Sequence, residues 1–109
     1  MMFVLQTRDG GLWAMADEKR GLAYFERPDV EAGEYAFFGD DGTPLTPVLE
    51  PHREVLGVTI ESTRYVLVKS KSGRNLIERA NEIRYLENET FASVADVLEY
   101  LRKKQHMSE

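Results

Sequence analysis

The sequence predicts an α+β fold, with a mainly antiparallel sheet of about five to six strands and one or two C-terminal helices packed on one face. Turn residues recur at short intervals in the first half of the chain, whereas apolar residues recur at helical spacing near its end. No regular alternation of strands and helices is present. A length of 109 residues suits one domain, which we expect to span 1–104, with 105–109 as a flexible tail.

Short segments rich in β-branched and aromatic residues indicate the strands. Asp9-Gly10 is a dipeptide typical of tight hairpin turns, and it separates the first two segments. Pro28 is expected to stop the third, and the acidic stretch 29–33 fits a single helical turn. Strands are therefore predicted at 3–7, 12–16, 22–26, 34–38, 43–48, 55–61 and 65–69.

Two prolines restrict where the segment 43–48 can lie in the sheet. Pro44 and Pro47 have no backbone N–H and cannot donate a hydrogen bond to a neighbouring strand. Proline is therefore typical of edge strands. The sequence predicts that 43–48 forms an edge of the sheet.

Helical spacing appears twice after residue 75. Within 75–86, apolar residues recur at intervals of four and three, which predicts a helix, although the Ile-Arg-Tyr triplet also fits a strand. The second pattern is clearer, and Ser93 stands in the right place to cap its N-terminus. Its apolar face consists of Phe91, Val94, Leu98 and Leu101.

Composition excludes several classes of function. The chain contains no cysteine, which removes disulfides, thiolate metal sites and cysteine nucleophiles. A net charge of −5 argues against general nucleic-acid binding. No apolar stretch approaches a signal peptide or a membrane span, so we expect a cytoplasmic protein. No motif indicates a cofactor or a metal.

Negative charge is concentrated in the first half of the chain. Residues 1–54 contain five Lys/Arg and eleven Asp/Glu, a net charge of −6, whereas residues 55–109 have a net charge of +1. Rings flanked by carboxylates suit an interface with a basic protein, although the same pattern also arises when rings fill the core and acids solvate turns. The predicted partner-binding residues are Tyr24, Glu26, Asp29, Glu31, Glu34, Tyr35, Asp40 and Asp41.

The loop that follows the last predicted strand is an alternative site, for an anion. Its cations, hydroxyls and glycine would precede a helix N-terminus, where backbone N–H groups bind phosphate. The spacing of a P-loop is missing, and a solvated turn is the more common explanation of such a loop. The candidate anion ligands are Lys69, Lys71, Ser72 and Arg74.

Other residues give weaker indications of chemistry. His52, with Arg53 and Glu54, fits an acid–base cluster, but its position after Pro51 is typical of an exposed loop. Trp13 suits either ligand stacking or core packing.

The leading hypothesis is a small, non-catalytic protein-binding module, an acidic neutraliser of a basic partner in the manner of an immunity or antitoxin protein. The alternative is a small anion- or nucleotide-binding domain or enzyme that uses the Lys69–Arg74 loop. A homodimer formed through 43–48 or through exposed rings is a third hypothesis, although proline disfavours strand addition there.

Overall fold

A computed structural model describes residues 1–62 and 64–107 and confirms the α+β class. The main sheet has six strands, which are β1 (Met2–Gln6), β2 (Gly11–Met15), β3 (Tyr35–Phe38), β4 (Pro44–Leu49), β7 (Tyr65–Lys69) and β8 (Tyr85–Leu86). Their order is β7-β4-β3-β1-β2-β8, and the β2–β8 pair is parallel whereas the others are antiparallel. A separate hairpin pairs β5 (Arg53–Val55) with β6 (Val58–Ile60).

Strand β1 lies in the middle of the sheet and is buried on both faces. Phe3 and Leu5 point into one core cluster, and Met2 and Val4 point into the other. Alternating side chains of a strand lie on opposite faces, so a strand that is apolar at every position needs a cover on each side. The sheet therefore has helical layers on both faces.

The C-terminal helix α3 (Val94–Met107) covers the Phe3 face, together with a 3-10 helix over Ile77–Glu82. Ser93 caps α3 as predicted, since its hydroxyl accepts a hydrogen bond from the Asp96 N–H at 3.2 Å. The helix continues beyond residue 104 to Met107, and the side chain of Gln105 donates to the Asp41 carbonyl. Of the predicted tail, 105–107 is thus helical, and 108–109 lies outside the described residues.

The other face is covered by α1 (Glu18–Tyr24) and α2 (Arg27–Glu31). The strand predicted at 22–26 is therefore wrong. Asp17 caps α1 by accepting a hydrogen bond from the Arg20 N–H at 2.7 Å, which favours a helix where the apolar pattern alone suggested a strand. Gly21 lets α1 approach the sheet closely, because an added Cβ would lie 2.0 Å from the Met2 side chain.

Strand β4 lies between β3 and β7, so its prediction as an edge strand is wrong. The Pro44 carbonyl accepts a hydrogen bond from the Ser70 N–H, and the Glu50 N–H donates to the Arg64 carbonyl, so the backbone of both residues points to the β7 side. By alternation, the nitrogen of Pro47 points toward the β3 side, where pairing ends at Leu45. No strand lies opposite the Pro47 nitrogen on that side, so no ladder hydrogen bond is lost there. The proline is therefore tolerated in a strand that has neighbours on both sides.

Two further predicted elements divide into shorter ones. The strand predicted at 55–61 is a hairpin, because Leu56 and Gly57 adopt φ values of 52° and 79° and reverse the chain between β5 and β6. Of the helix predicted over 75–86, the structure has the 3-10 helix Ile77–Glu82. Beyond it, Arg84 and Glu87 donate their N–H groups to carbonyls of Gly10 and Leu12 and extend the sheet.

None of the helices in residues 1–62 and 64–107 has the length and apolar character that a membrane span requires.

Candidate functional site

A group of packed rings lies where α1 and α2 meet the sheet. Phe25, only 2 % exposed, is at its centre, with the rings of Trp13, Tyr24 and Tyr35 around it at centroid distances of 4.8–5.8 Å. Tyr24 is 55 % exposed and rests on Trp13 at 4.9 Å. A large aromatic ring is therefore held at the surface by rings beneath it.

Carboxylates surround this group of rings. Burial raises the pKa of Tyr35, and the negative charges of Asp29 and Glu34 raise it further, which places both acids near its hydroxyl. The Glu34 N–H donates to the Asp29 carbonyl at 3.2 Å and fixes the turn between α2 and β3. We call this surface the acidic aromatic face and define it by Tyr24, Asp29, Glu34 and Tyr35. Glu26 precedes α2, and Glu31 lies on α2, where its carboxylate pairs with a buried arginine.

Two predicted partner-binding residues lie elsewhere. Asp40 and Asp41 follow β3 at the end opposite to Glu34, beside α3. Asp40 accepts a hydrogen bond from Tyr100 and forms ion pairs with Lys104 at 3.3 Å and with the N-terminal ammonium at 3.5 Å. Of the eight predicted residues, four therefore lie around the group of rings, Glu26 and Glu31 belong to the α2 region, and two join the C-terminal helix to the sheet.

The carboxyl groups of Asp40 and Asp41 are stabilised in their charged form. Desolvation by itself would raise the pKa of Asp40, but the hydrogen bonds from Tyr100 and Lys104 outweigh it and lower the pKa below its ordinary value. Desolvation also opposes the shift at Asp41, whose pKa is lowered by hydrogen bonds from Thr43. Both carboxylates therefore bind groups of this chain and stabilise its fold.

The Lys69–Arg74 loop holds its four candidate anion ligands at the surface, but the neighbouring backbone donors are already used. The N–H groups of Asn75, Leu76 and Ile77 donate to Glu78, to the Gly42 carbonyl and to the Asn75 side chain. Arg74 forms an ion pair with Glu82 at 3.5 Å. A phosphate at this loop would have to displace these contacts.

The residues around His52 do not converge on a point. The Nδ1 atom of His52 accepts a hydrogen bond from the Ser62 N–H at 3.0 Å, which closes the base of the β5–β6 hairpin. Arg53 and Glu54 are consecutive on β5 and therefore point to opposite faces. Among the described residues, no three His, Cys, Asp or Glu side chains are grouped to hold a metal ion.

Sequence reasoning missed one buried cation. Arg27 is 7 % exposed, and its Nη1 donates to the carbonyls of Glu50 and Ser62 at 2.7 Å each. Its Nε contacts the Glu31 carboxylate at 2.5 Å. Arg27 therefore joins α2 to the base of the β5–β6 hairpin. Its position four residues before Glu31 was the only local signal, and the two carbonyls are distant in sequence.

Comparison with family models, curated proteins and solved structures finds no match for this chain.

Proposed function

We propose that this chain is a protein-binding module that docks on a basic partner through the acidic aromatic face. Tyr24 carries the proposal, because it exposes more than half of its surface while packed rings hold it from below. The carboxylates of Asp29 and Glu34 lie near Tyr35 in the same group of rings. Tyrosine anchors within a charged rim are typical of protein interfaces. Masking a cationic surface, as an immunity or antitoxin protein does, is the function that this chemistry supports.

Charge favours a basic partner over a neutral one. Residues 24–35 contain four carboxylates and one cation, Arg27, a net charge of −3 out of −5 for the chain. Of the four, only Glu31 forms an ion pair in the part of the chain that the structure describes. Glu26, Asp29 and Glu34 therefore leave their charge available to solvent, where it accelerates encounter with cations.

The face is also held in one conformation, which reduces the entropy lost on binding. Tyr35 lies in β3, paired with Gln6 of the central strand. The turn from α2 to β3 is closed by backbone hydrogen bonds from Ala32, Gly33 and Glu34. This part of the backbone is therefore already ordered before a partner binds.

The test is affinity capture from the native host at about 0.1 M and about 1 M salt, where the Debye length falls from about 10 Å to about 3 Å. The wild type should retain a protein rich in Lys and Arg at low salt and release most of it at high salt. The double variant Asp29→Lys/Glu34→Lys and the single variant Tyr24→Ala should each lose that protein.

Asp96→Lys/Glu99→Lys is the matched control, because both residues are exposed on α3, which covers the opposite face of the sheet. This variant also replaces two carboxylates with two cations, but away from the acidic aromatic face, and should capture the partner like the wild type. If Asp96→Lys/Glu99→Lys weakens capture as much as Asp29→Lys/Glu34→Lys does, the net charge rather than the face binds the partner, and the proposal is wrong. Capture that is insensitive to salt would also contradict it.

A further inference from the structure

The exposed apolar side chains are concentrated in one stretch of the chain. Ten large hydrophobic side chains are exposed among residues 1–62 and 64–107, and seven of them lie between residues 48 and 68. Four belong to the hairpin 53–60, which we call the β-arm. The other three, which we call the valine strip, are Val48, Val66 and Val68.

The β-arm has one apolar face and one polar face. Facing pairs Val55–Val58 and Arg53–Ile60 place three apolar side chains on one side, whereas Glu54 and Thr59 point to the other. Leu56, at the tip, is 99 % exposed. A two-stranded hairpin is marginal by itself and gains stability when its apolar face is covered.

The valine strip lies on a second uncovered surface. Val48 faces Val66 across the β4–β7 pair, and Val68 follows two residues later on the same side. By alternation from the Phe38–Pro44 pair, this side is the one that α3 covers further along the sheet. At β4 and β7 the valines remain exposed.

We propose that the occupant of both surfaces is a second copy of this chain, with the β-arm of each copy lying over the valine strip of the other. A two-fold axis then covers both apolar surfaces at once, and a closed dimer results. The seven exposed side chains amount to roughly 600 Å², most of the about 800 Å² per partner in a standard interface.

Charge agrees with self-association at this place. Residues 44–69 contain three Lys/Arg and three Asp/Glu, a net charge of zero, whereas the whole chain has −5. Two copies repel each other less here than across the acidic aromatic face. This proposal is independent of the basic partner, because it uses a different surface and does not depend on charge attraction.

The test is the mass of the full chain by light scattering and sedimentation equilibrium, from about 1 µM to about 1 mM. The mass should rise from 12.5 kDa toward twice that value, and salt should not dissociate the dimer. Val58→Thr/Ile60→Thr on the β-arm and Val66→Thr/Val68→Thr on the strip keep β-branched side chains while removing apolar surface. Each pair should raise the dissociation constant by at least about tenfold, because every change occurs twice in the dimer.

Glu54→Thr is the control, because it introduces the same residue on the polar face of the arm, and it should not weaken the dimer. Circular dichroism of each variant verifies that the monomer folds. A chain that stays monomeric throughout overturns the proposal, as does a dimer that depends on only one of the two surfaces. Binding of the monomer to anionic phospholipid vesicles, lost in Val58→Thr/Ile60→Thr, would assign the arm to a membrane surface instead.

Discussion

Replacing Arg27 with Met removes the cation that joins α2 to the base of the β-arm and keeps most of the side-chain volume. Two carbonyls, of Glu50 and Ser62, lose a donor at 2.7 Å, and Glu31 loses its ion-pair partner. These three acceptors lie on different segments, so the substitution removes the side-chain link between α2 and the base of the arm.

The cost follows from the solvent exposure of each acceptor. A buried acceptor left without a donor costs about 1–3 kcal/mol. The Glu31 side chain is 44 % exposed and Glu50 lies in an exposed segment, so water replaces part of what is lost. Removing one partner of a fully buried ion pair costs about 3–5 kcal/mol, and the loss at Arg27 should be smaller because its acceptors are partly exposed. We expect the free energy of unfolding to decrease by about 2–3 kcal/mol.

Urea unfolding followed by circular dichroism measures this loss. Arg20→Met is the matched control, because Arg20 is exposed and its contact with Asp17 is 3.7 Å long; that variant should change the free energy of unfolding by less than about 0.5 kcal/mol. Amide hydrogen exchange in 50–62 should also accelerate in Arg27→Met alone. If Arg27→Met destabilises no more than Arg20→Met, the buried cation is not a structural joint.

Four other predictions test the rest of the structure. Because the pKa of Asp40 is lowered in the fold, its carboxylate stabilises the protein at pH values above its ordinary pKa of 3.8, and this stabilisation is lost as the pH falls through the folded value. In an acid titration, Asp40→Asn should therefore lose less stability below about pH 4 than the wild type. Burial raises the pKa of Tyr65 to about 12, so the stability contributed by its protonated hydroxyl is complete below pH 10 and disappears as the pH rises toward about 12. Tyr65→Phe loses the hydrogen bond to the Phe25 carbonyl, which should lower the free energy of unfolding by about 1 kcal/mol at pH 7. In alkali this variant should lose less stability than the wild type. Phosphate and nucleotides should shift the melting temperature by less than about 1 °C in a thermal-shift assay, because a ligand without a site in the folded state adds no stability; a saturable shift abolished by Lys71→Glu would restore the anion-binding alternative. Leu56→Asn should raise monomer stability by about 0.5–1 kcal/mol in dilute urea titrations, because Asn tolerates the left-handed backbone of this turn better than Leu, and an unchanged or lower stability would contradict the assigned turn.

Elements with a strong local signal were predicted correctly from the sequence. Asp9-Gly10 located the first hairpin, and Ser93 located the start of α3 within one residue. The strand predicted at 12–16 is β2, and Leu12 and Ala14 pack in one core cluster while Trp13 packs against the other, as alternation along a strand requires. In these cases the periodicity of burial and the turn or cap chemistry indicate the same structure.

Most failures have physical reasons that a single sequence does not display. The segment 22–26 has apolar residues suited to a strand; the local Asp17 cap favours a helix there, and the close approach of Gly21 to Met2 that holds this helix on the sheet is a tertiary contact. Pro47 is tolerated inside the sheet only because β3 ends early. At the candidate site, four of the eight acidic and aromatic residues lie around one group of rings, whereas Asp40 pairs with Lys104, a residue 64 positions away.

The central claim, that the acidic aromatic face binds a basic protein, is tested most directly by site-specific photo-crosslinking in host extract. A photoreactive phenylalanine derivative at position 24 replaces one ring with another, and the same group at position 99, exposed on α3 across the sheet, serves as the reference. Our proposal predicts one dominant adduct from position 24, with a protein rich in Lys and Arg, that disappears at about 1 M salt. No adduct from position 24, or the same adduct from position 99, would contradict it.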